Sequence, residues 1–206
     1  MDNSISQDNF DKLFISKVTN ANEETINVPL MVLNLATREY ENLDVISTLG
    51  EISGFVQEVN NSTSSFDTFY DVIQNVNHIL FEIHEIHGDT SDYHNPKNSY
   101  INKVIETKTG NPVSISIIYK EICRQLGFNL TGIGIPRHYL LKYRKNESLI
   151  FIDPYNKGVL LTKKEVIQIA NKKNKLAQSN SKISEDNIQN FGSRKTILRV
   201  LNNLKF

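Results

Sequence analysis

Between Gly110 and Tyr143 the hydrophobic period of this chain switches from helical to extended within a few residues. Gly110 and Asn111 lead into Pro112, a residue suited to a first helical turn. Ile115, Ile118, Ile122 and Leu126 then mark one helix face as far as Gly127, which suits the position just past a helix end. LTGIGI, HYLLKY and LIFIDP follow directly, each short and β-like. Upstream, the apolar spacing is helical. Helices followed by a run of strands, rather than strict alternation, predict an α+β fold: a helical N-terminal half, a central helix packed on a short antiparallel sheet, and a C-terminal helix.

The remaining elements fit around this core. Val28 to Val59 carry apolar residues at mixed three and four spacing and read as two helices joined near Tyr40 to Asn42. The polar run NNSTSS at 60–65 closes that unit, and Phe66 opens a long amphipathic helix through Ile83 that ends in FEIHEIHGD. A loop over 89–96 precedes a short helix at about 99–107, with Asn98 or Ser99 as its cap. After the turn YNKG and the strand VLL, Thr162 and Glu165 form a capping box that opens the helix KKEVIQIANK. Polar residues run from there to Asn190, and Ser193 caps a last helix with its stripe at Ile197, Val200, Leu201 and Leu204. The expected division is an N-terminal helical segment at 1–64, a core at 65–171, a polar linker at 172–192 and the start of a C-terminal helical region at 193–206.

Composition narrows the setting. With 39% hydrophobic residues in 206, the chain can bury one sizeable core. No charge-free apolar run approaches the ~18 residues of a membrane span, and the polar start MDNSISQDNFDK is unlike a leader, so a soluble cytoplasmic protein is expected. The single cysteine, Cys123, excludes an internal disulfide framework and a cysteine-rich zinc site. Formal net charge is zero but unevenly spread: 16 acidic against 3 basic residues before position 96, and 7 against 20 from there on. The simplest consequence is an acidic half docking on a basic half; the alternative is a basic surface for an acidic protein or nucleic acid. The basic half lacks the aromatic interleaving of nucleic-acid binders, which argues against the latter. His78, His84, His87 and His94 read as solvated polar residues rather than metal ligands, the sequon Asn61-Ser62-Thr63 has no secretory signal, and no phosphate- or dinucleotide-binding motif occurs. No cofactor is expected.

One pair carries chemistry. If HYLLKY and LIFIDP form a hairpin around the loop at 144–147, Tyr143 faces Ser148, Leu141 faces Ile150, Tyr139 faces Ile152, and His138 falls opposite Asp153. Opposed residues have Cβ atoms ~4.5 to 5.5 Å apart, so the carboxylate could accept from Nδ1–H and leave Nε2 as a base. The competing reading makes Asp153-Pro154 a turn starter and His138 a satisfied strand-end residue. The helix opening at Pro112 is the candidate to face such a pair, because its free N–H groups and dipole make a favourable site for a thiolate or an oxyanion. Cys123 lies ~16 Å along that helix and reads as a packing residue. Ser114 and Ser116 are the hydroxyls left; Ser114 with His138 and Asp153 is a candidate triad, and the alternative is that these serines cap the helix.

The run DYHNPKNSYINKVIETKTGNPVSISIIYKEICRQLGFNLTGIGIPRHYLL, followed by FIDPYNKG, resembles the SirB-type branch of the transglutaminase-like superfamily, and RVLNNLKF is similar to that family's R-x-L-x-N-L-K segment. The resemblance implies a papain-like α+β core, with the helix after Gly110 in the nucleophile-helix position and His138 and Asp153 in the His and Asp positions of a Cys–His–Asp triad. The branch generally lacks the cysteine, as this chain does. Where the family has P-G-H, this chain has Pro136, Arg137 and His138, placing a cation beside the imidazole and at any pocket mouth. Asn98, Asn111, Pro112, Ser116, Pro136, Arg137 and Tyr155 are the expected pocket residues.

Three function classes follow. The first is a transglutaminase-like module without its thiol that binds or regulates a protein partner. The second is a hydrolase or acyltransferase using Ser114, His138 and Asp153. The third is a partner for acidic macromolecules through the basic half.

Overall fold

The computed structural model describes residues 7–62, 68–146, 148–176, 183–184 and 188–204. Helix α1 (Gln7–Asn20) and a 3-10 turn (Glu23–Thr25) precede α2 (Val28–Ala36), where the Asn27 side chain accepts from the Leu30 N–H and Pro29 sits in the first turn. Asp44 caps α3 (Val45–Asn61) by accepting from Ser47. Thr68 and Asp71 form a capping box that opens α4 (Phe69–Asn77), and a π-helical turn, His78–Ile83, continues it. The long helix expected here is thus present in two pieces; its expected start at Phe66 lies outside the described residues.

A short parallel pair, β1 (His87–Gly88) with β2 (Thr109–Gly110), brackets α5 (Ile101–Thr107). The expected caps Asn98 and Ser99 do not cap α5. They are buried in a 3-10 turn, Pro96–Ser99, and Tyr100 takes the N-cap position without a side-chain bond. Their polar groups serve the site described below.

Helix α6 (Pro112–Gln125) begins as its sequence dictates, with Asn111 as cap and Pro112 in the first turn. It ends in a Schellman arrangement: Gly127, at φ 89°, bonds the Arg124 carbonyl and Phe128 bonds the Cys123 carbonyl. Only Lys120, Arg124 and Gln125 escape burial, so α6 is the central helix.

Against it lies a five-stranded antiparallel sheet in the order β6-β5-β4-β3-β7, from β3 (Thr131–Ile135), β4 (His138–Lys145), β5 (Ser148–Asp153), β6 (Val159–Leu161) and β7 (Gln189–Phe191). The architecture is α+β. Helix α7 (Lys163–Leu176) opens on the Thr162–Glu165 capping box, and α8 (Ser193–Asn203) closes the fold. One sheet face, with Tyr139, Leu141, Tyr143 and Ile152, packs into a single cluster with side chains from α2 to α6 and α8. The other, with Ile133, Ile135, Leu140 and Phe151, packs on Val166 and Ala170 of α7 and on Ile183. No helix among the described residues is long and apolar enough to cross a membrane.

Three expectations are corrected. The β4–β5 hairpin pairs Lys145 with Ser148, Tyr143 with Ile150 and Leu141 with Ile152, two residues out of the expected register. The strands run on through 144 and 145, and Asn146 makes the tight connection at φ 54°, a backbone that asparagine tolerates. The stretch 172–192 is not all linker: α7 continues to Leu176, and Gln189–Phe191 joins the sheet beside β3. Gly192, not Ser193, is the N-cap of α8. Strand β7 has a physical cause, because a side chain at Gly134 would overlap the Phe191 ring, just as one at Gly132 would overlap the Tyr139 hydroxyl. Tyr139 in turn donates to Thr196 Oγ1 (2.7 Å), whose own proton goes to the Gly192 carbonyl (2.8 Å), tying β4 to α8.

Candidate functional site

The N-terminus of α6 is held by a closed set of polar contacts. Asn111 Oδ1 accepts from the N–H groups of Val113 and Ser114, both at 3.0 Å, and its Nδ2 donates to Ser99 Oγ at 2.8 Å. Ser114 Oγ accepts from the Asn111 N–H (3.1 Å) and donates to the Asn98 carbonyl (2.5 Å). Asn98 is anchored through its amide to Asp89 Oδ2 (3.0 Å) and to the Asp92 carbonyl (2.9 Å). Ser114 is therefore a capping residue whose only proton is engaged. Ser116, equally buried, has an Oγ with no hydrogen-bond partner among the described residues and lines a separate cavity of about 770 Å³ that also touches Lys120, Tyr139 and Thr196.

His138 and Asp153 do meet. With Leu141 opposite Ile152, Leu140 falls opposite Asp153, and His138 is its diagonal neighbour on the same face. His138 Nε2 lies 2.8 Å from Asp153 Oδ2, and both residues are 2% exposed. The expected ring orientation is reversed: Nε2 donates to the carboxylate, and Nδ1 is the free nitrogen, buried without a partner. Asn156 completes the carboxylate's coordination, its Nδ2 at 2.6 Å from Oδ2 and its backbone N–H at 3.3 Å from Oδ1. Asp153 is thus also the cap of the 3-10 turn Pro154–Asn156, so the turn-starter reading and the pair reading are both fulfilled by one carboxylate.

Tyr155 packs edge-on against the imidazole, centroids 5.8 Å apart, and donates to the Asp89 carbonyl at 2.8 Å. Its ring lies where a side chain at Gly88 would stand, so only glycine admits it. Asp89 is the hinge of this wall. The Asp92 N–H, the Asn98 amide and Ser91 hold its carboxyl down to about 2.

Linked to the pair through Arg137 and the Tyr93–Tyr155 contact, but lined by neither His138 nor Asp153, a cavity of about 430 Å³ opens. Tyr93, His94, Asn95 and Ser99 form one side and Asn111 its floor; Arg137 comes from the β3–β4 turn, and Arg199, Asn202 and Asn203 come from α8. Of the expected pocket residues, Asn111 and Arg137 line it. Asn98 and Pro112 are buried behind it in the polar network and the first turn of α6, Ser116 belongs to the other cavity, and Pro136 and Tyr155 flank the histidine. Arg199, Asn202 and Asn203 are missing from the expectation, although their spacing of three and four places them on one helix face.

Chemically, the site offers a buried imidazole oriented by a carboxylate, next to a polar and cationic cavity. Among the described residues no hydroxyl or thiol bonds the free Nδ1. Cys123, fully buried in α6, has its thiol pushed up by burial, which disfavours the thiolate. The four histidines of the helical half disperse: His84 Nε2 meets Glu58 at 2.7 Å, His78 meets Glu82 at 2.7 Å, and no group of three potential metal ligands sits together among the described residues.

Comparison with known proteins agrees with this arrangement. A UPF0162 protein of Xylella fastidiosa is 28% identical over 151 residues, 73% of this chain and 54% of that protein, so the chain spans about half the length of this relative. A UPF0162 protein of Vibrio cholerae is 33% identical over 70 residues, 34% of this chain and 26% of its own length. F-box only protein 21 of Homo sapiens is 34% identical over 102 residues, 46% of this chain and 16% of its own length. No solved structure matches significantly. The family model described as transglutaminase-like superfamily matches residues 47–202, spanning the central helix, the sheet, both members of the His–Asp pair and the arginine-bearing α8, and the chain belongs to that superfamily.

Proposed function

We propose that this chain is a transglutaminase-like module that has lost acyl transfer and works by binding a protein partner, with His138 and Asp153 kept as a buried pair that braces Tyr155 and the Arg137 turn behind the binding surface. The observation that carries this is the free Nδ1 of His138: the nitrogen to which a nucleophile would bond has no partner, and Ser114 spends its proton on Asn98. The fraction of F-box only protein 21 that matches this chain supports the reading, since there the related segment is a small part of a larger protein. A cytoplasmic setting fits the one unpaired thiol.

The competing reading is a hydrolase or acyltransferase in which Ser114 attacks with help from His138. It requires Ser114 to leave the Asn98 carbonyl and the N-terminus of α6 to lose part of its cap. Labelling with a fluorophosphonate separates the two. The module reading expects no labelling of the native protein. Labelling that disappears in both Ser114→Ala and His138→Ala variants would establish the hydrolase instead.

A further inference from the structure

We propose that the cavity between the β3–β4 turn and α8 binds an oxyanion, a carboxylate or phosphate group, clasped by Arg137 and Arg199. The proposal goes beyond the module reading, because it holds whether or not His138 performs chemistry.

Four observations converge on it. First, neither guanidinium has an ion-pair or hydrogen-bond partner among the described residues, whereas Arg38, Arg124 and Arg194 are matched with Asp11, Glu121 and Glu23. Second, among the described residues the lining of the cavity contains no aspartate or glutamate, so two positive charges share a polar space with no carboxylate from those residues to balance them. Both act on Tyr93: burial pushes its phenol up, and the two arginines pull it back.

Third, Arg137 sits at φ 54°, the second corner of a two-residue turn that begins with Pro136. Pro at the first corner and a left-handed second corner describe a type II turn, for which glycine is the unstrained choice. The chain places a long cation there instead. Tyr93 Oη donates to the Arg137 carbonyl at 3.4 Å and packs edge-on against Tyr155, so the turn is braced against the wall of the site. Fourth, Arg199, Asn202 and Asn203 are presented together by one face of α8. Two guanidiniums with neighbouring amides recognise planar or tetrahedral oxyanions through paired N–H donors. The volume, about 430 Å³, suits a small acid or one acidic side chain with its neighbours.

Titration calorimetry of the full chain at low ionic strength tests this with three probes: inorganic phosphate, N-acetylglutamate and a short glutamate-containing peptide. The expected result is saturable binding of at least one probe, weakened about tenfold or more by Arg137→Gly and by Arg199→Gln. Arg137→Lys should retain part of the affinity. Arg144→Gln, which removes an exposed arginine outside the cavity, should leave it unchanged. Arg137→Gly relieves the left-handed strain, so its effect will not be confounded by unfolding. Tightest binding of free phosphate or N-acetylglutamate points to a small-molecule ligand, and tightest binding of the peptide to a protein-borne acid. Absence of saturable binding by every probe overturns the proposal, as does equal weakening by Arg144→Gln, which would reduce the effect to overall charge.

Discussion

His138 reaches Asp153 along a diagonal of the β4–β5 hairpin, with Nε2 2.8 Å from the carboxylate. A slip of one residue would have sent every side chain of β5 to the opposite face; the actual difference of two preserves the alternation, so a directly opposed pair becomes a diagonal one within reach of an imidazole. The ring orientation was beyond reach, because it depends on where the ring enters between Tyr155 and the carboxylate. Removing one partner should leave a buried imidazole unpaired, and Asp153→Ala should destabilise the fold by about 3 kcal/mol in urea unfolding. Asp89 yields a pH prediction. Its folded pKa, about 2, is depressed below the unfolded value near ~3.9, so its contribution is complete above that value and is lost as pH falls from about 4 to about 2. Asp89→Asn should flatten the acid limb of a stability-versus-pH curve in that window while altering the neutral plateau less than Asp89→Ala. At Arg137 the strained backbone makes the opposite forecast: Arg137→Gly should melt no lower than the parent chain, by thermal circular dichroism.

Elements with strong punctuation were readable, and those made by tertiary pairing were not. The N- and C-termini of α6 follow from Asn111, Pro112 and Gly127, and the start of α7 follows from Thr162 and Glu165. Strand β7 is three residues, QNF, with neither length nor alternation to announce it. It exists because two glycines of β3 leave room for the rings of Tyr139 and Phe191, which meet at 5.9 Å. Phe191→Ala should therefore cost about 2 kcal/mol and raise amide hydrogen exchange selectively in β3 and β7, with the β4–β5 hairpin protected as before. The apolar stripe of α8 is explicit in the sequence, whereas Arg199, Asn202 and Asn203 gain their meaning only from the β3–β4 turn that faces them across the cavity.

At the scale of the molecule, the uneven charge along the chain has a structural counterpart at the junction of α1 and α8. Arg194 of the basic half pairs with Glu23 (2.6 Å) and donates to the carbonyls of Val18 and Ala21, fastening α8 to the end of α1. A second tie runs through the core, where Tyr119 donates to Asn77 Oδ1 (2.8 Å) and Asn77 donates to the Gly158 carbonyl (3.2 Å). One hydrophobic cluster joins side chains from Val28 to Val200, so unfolding should be cooperative. Cys123, at the centre of that cluster, reports on it: a disulfide reagent should modify the thiol only in molecules that open globally, and the rate should track urea-measured stability. Helix α8 also sets a timetable. During translation the ribosome delivers the imidazole, the carboxylate and Arg137 well before it delivers Arg199, Asn202 and Asn203. A nascent chain halted before Ser193 holds a cavity with one wall absent, so a ligand clasped from both sides can reward only chains in which α8 has already been made and cannot serve as a template for shorter ones.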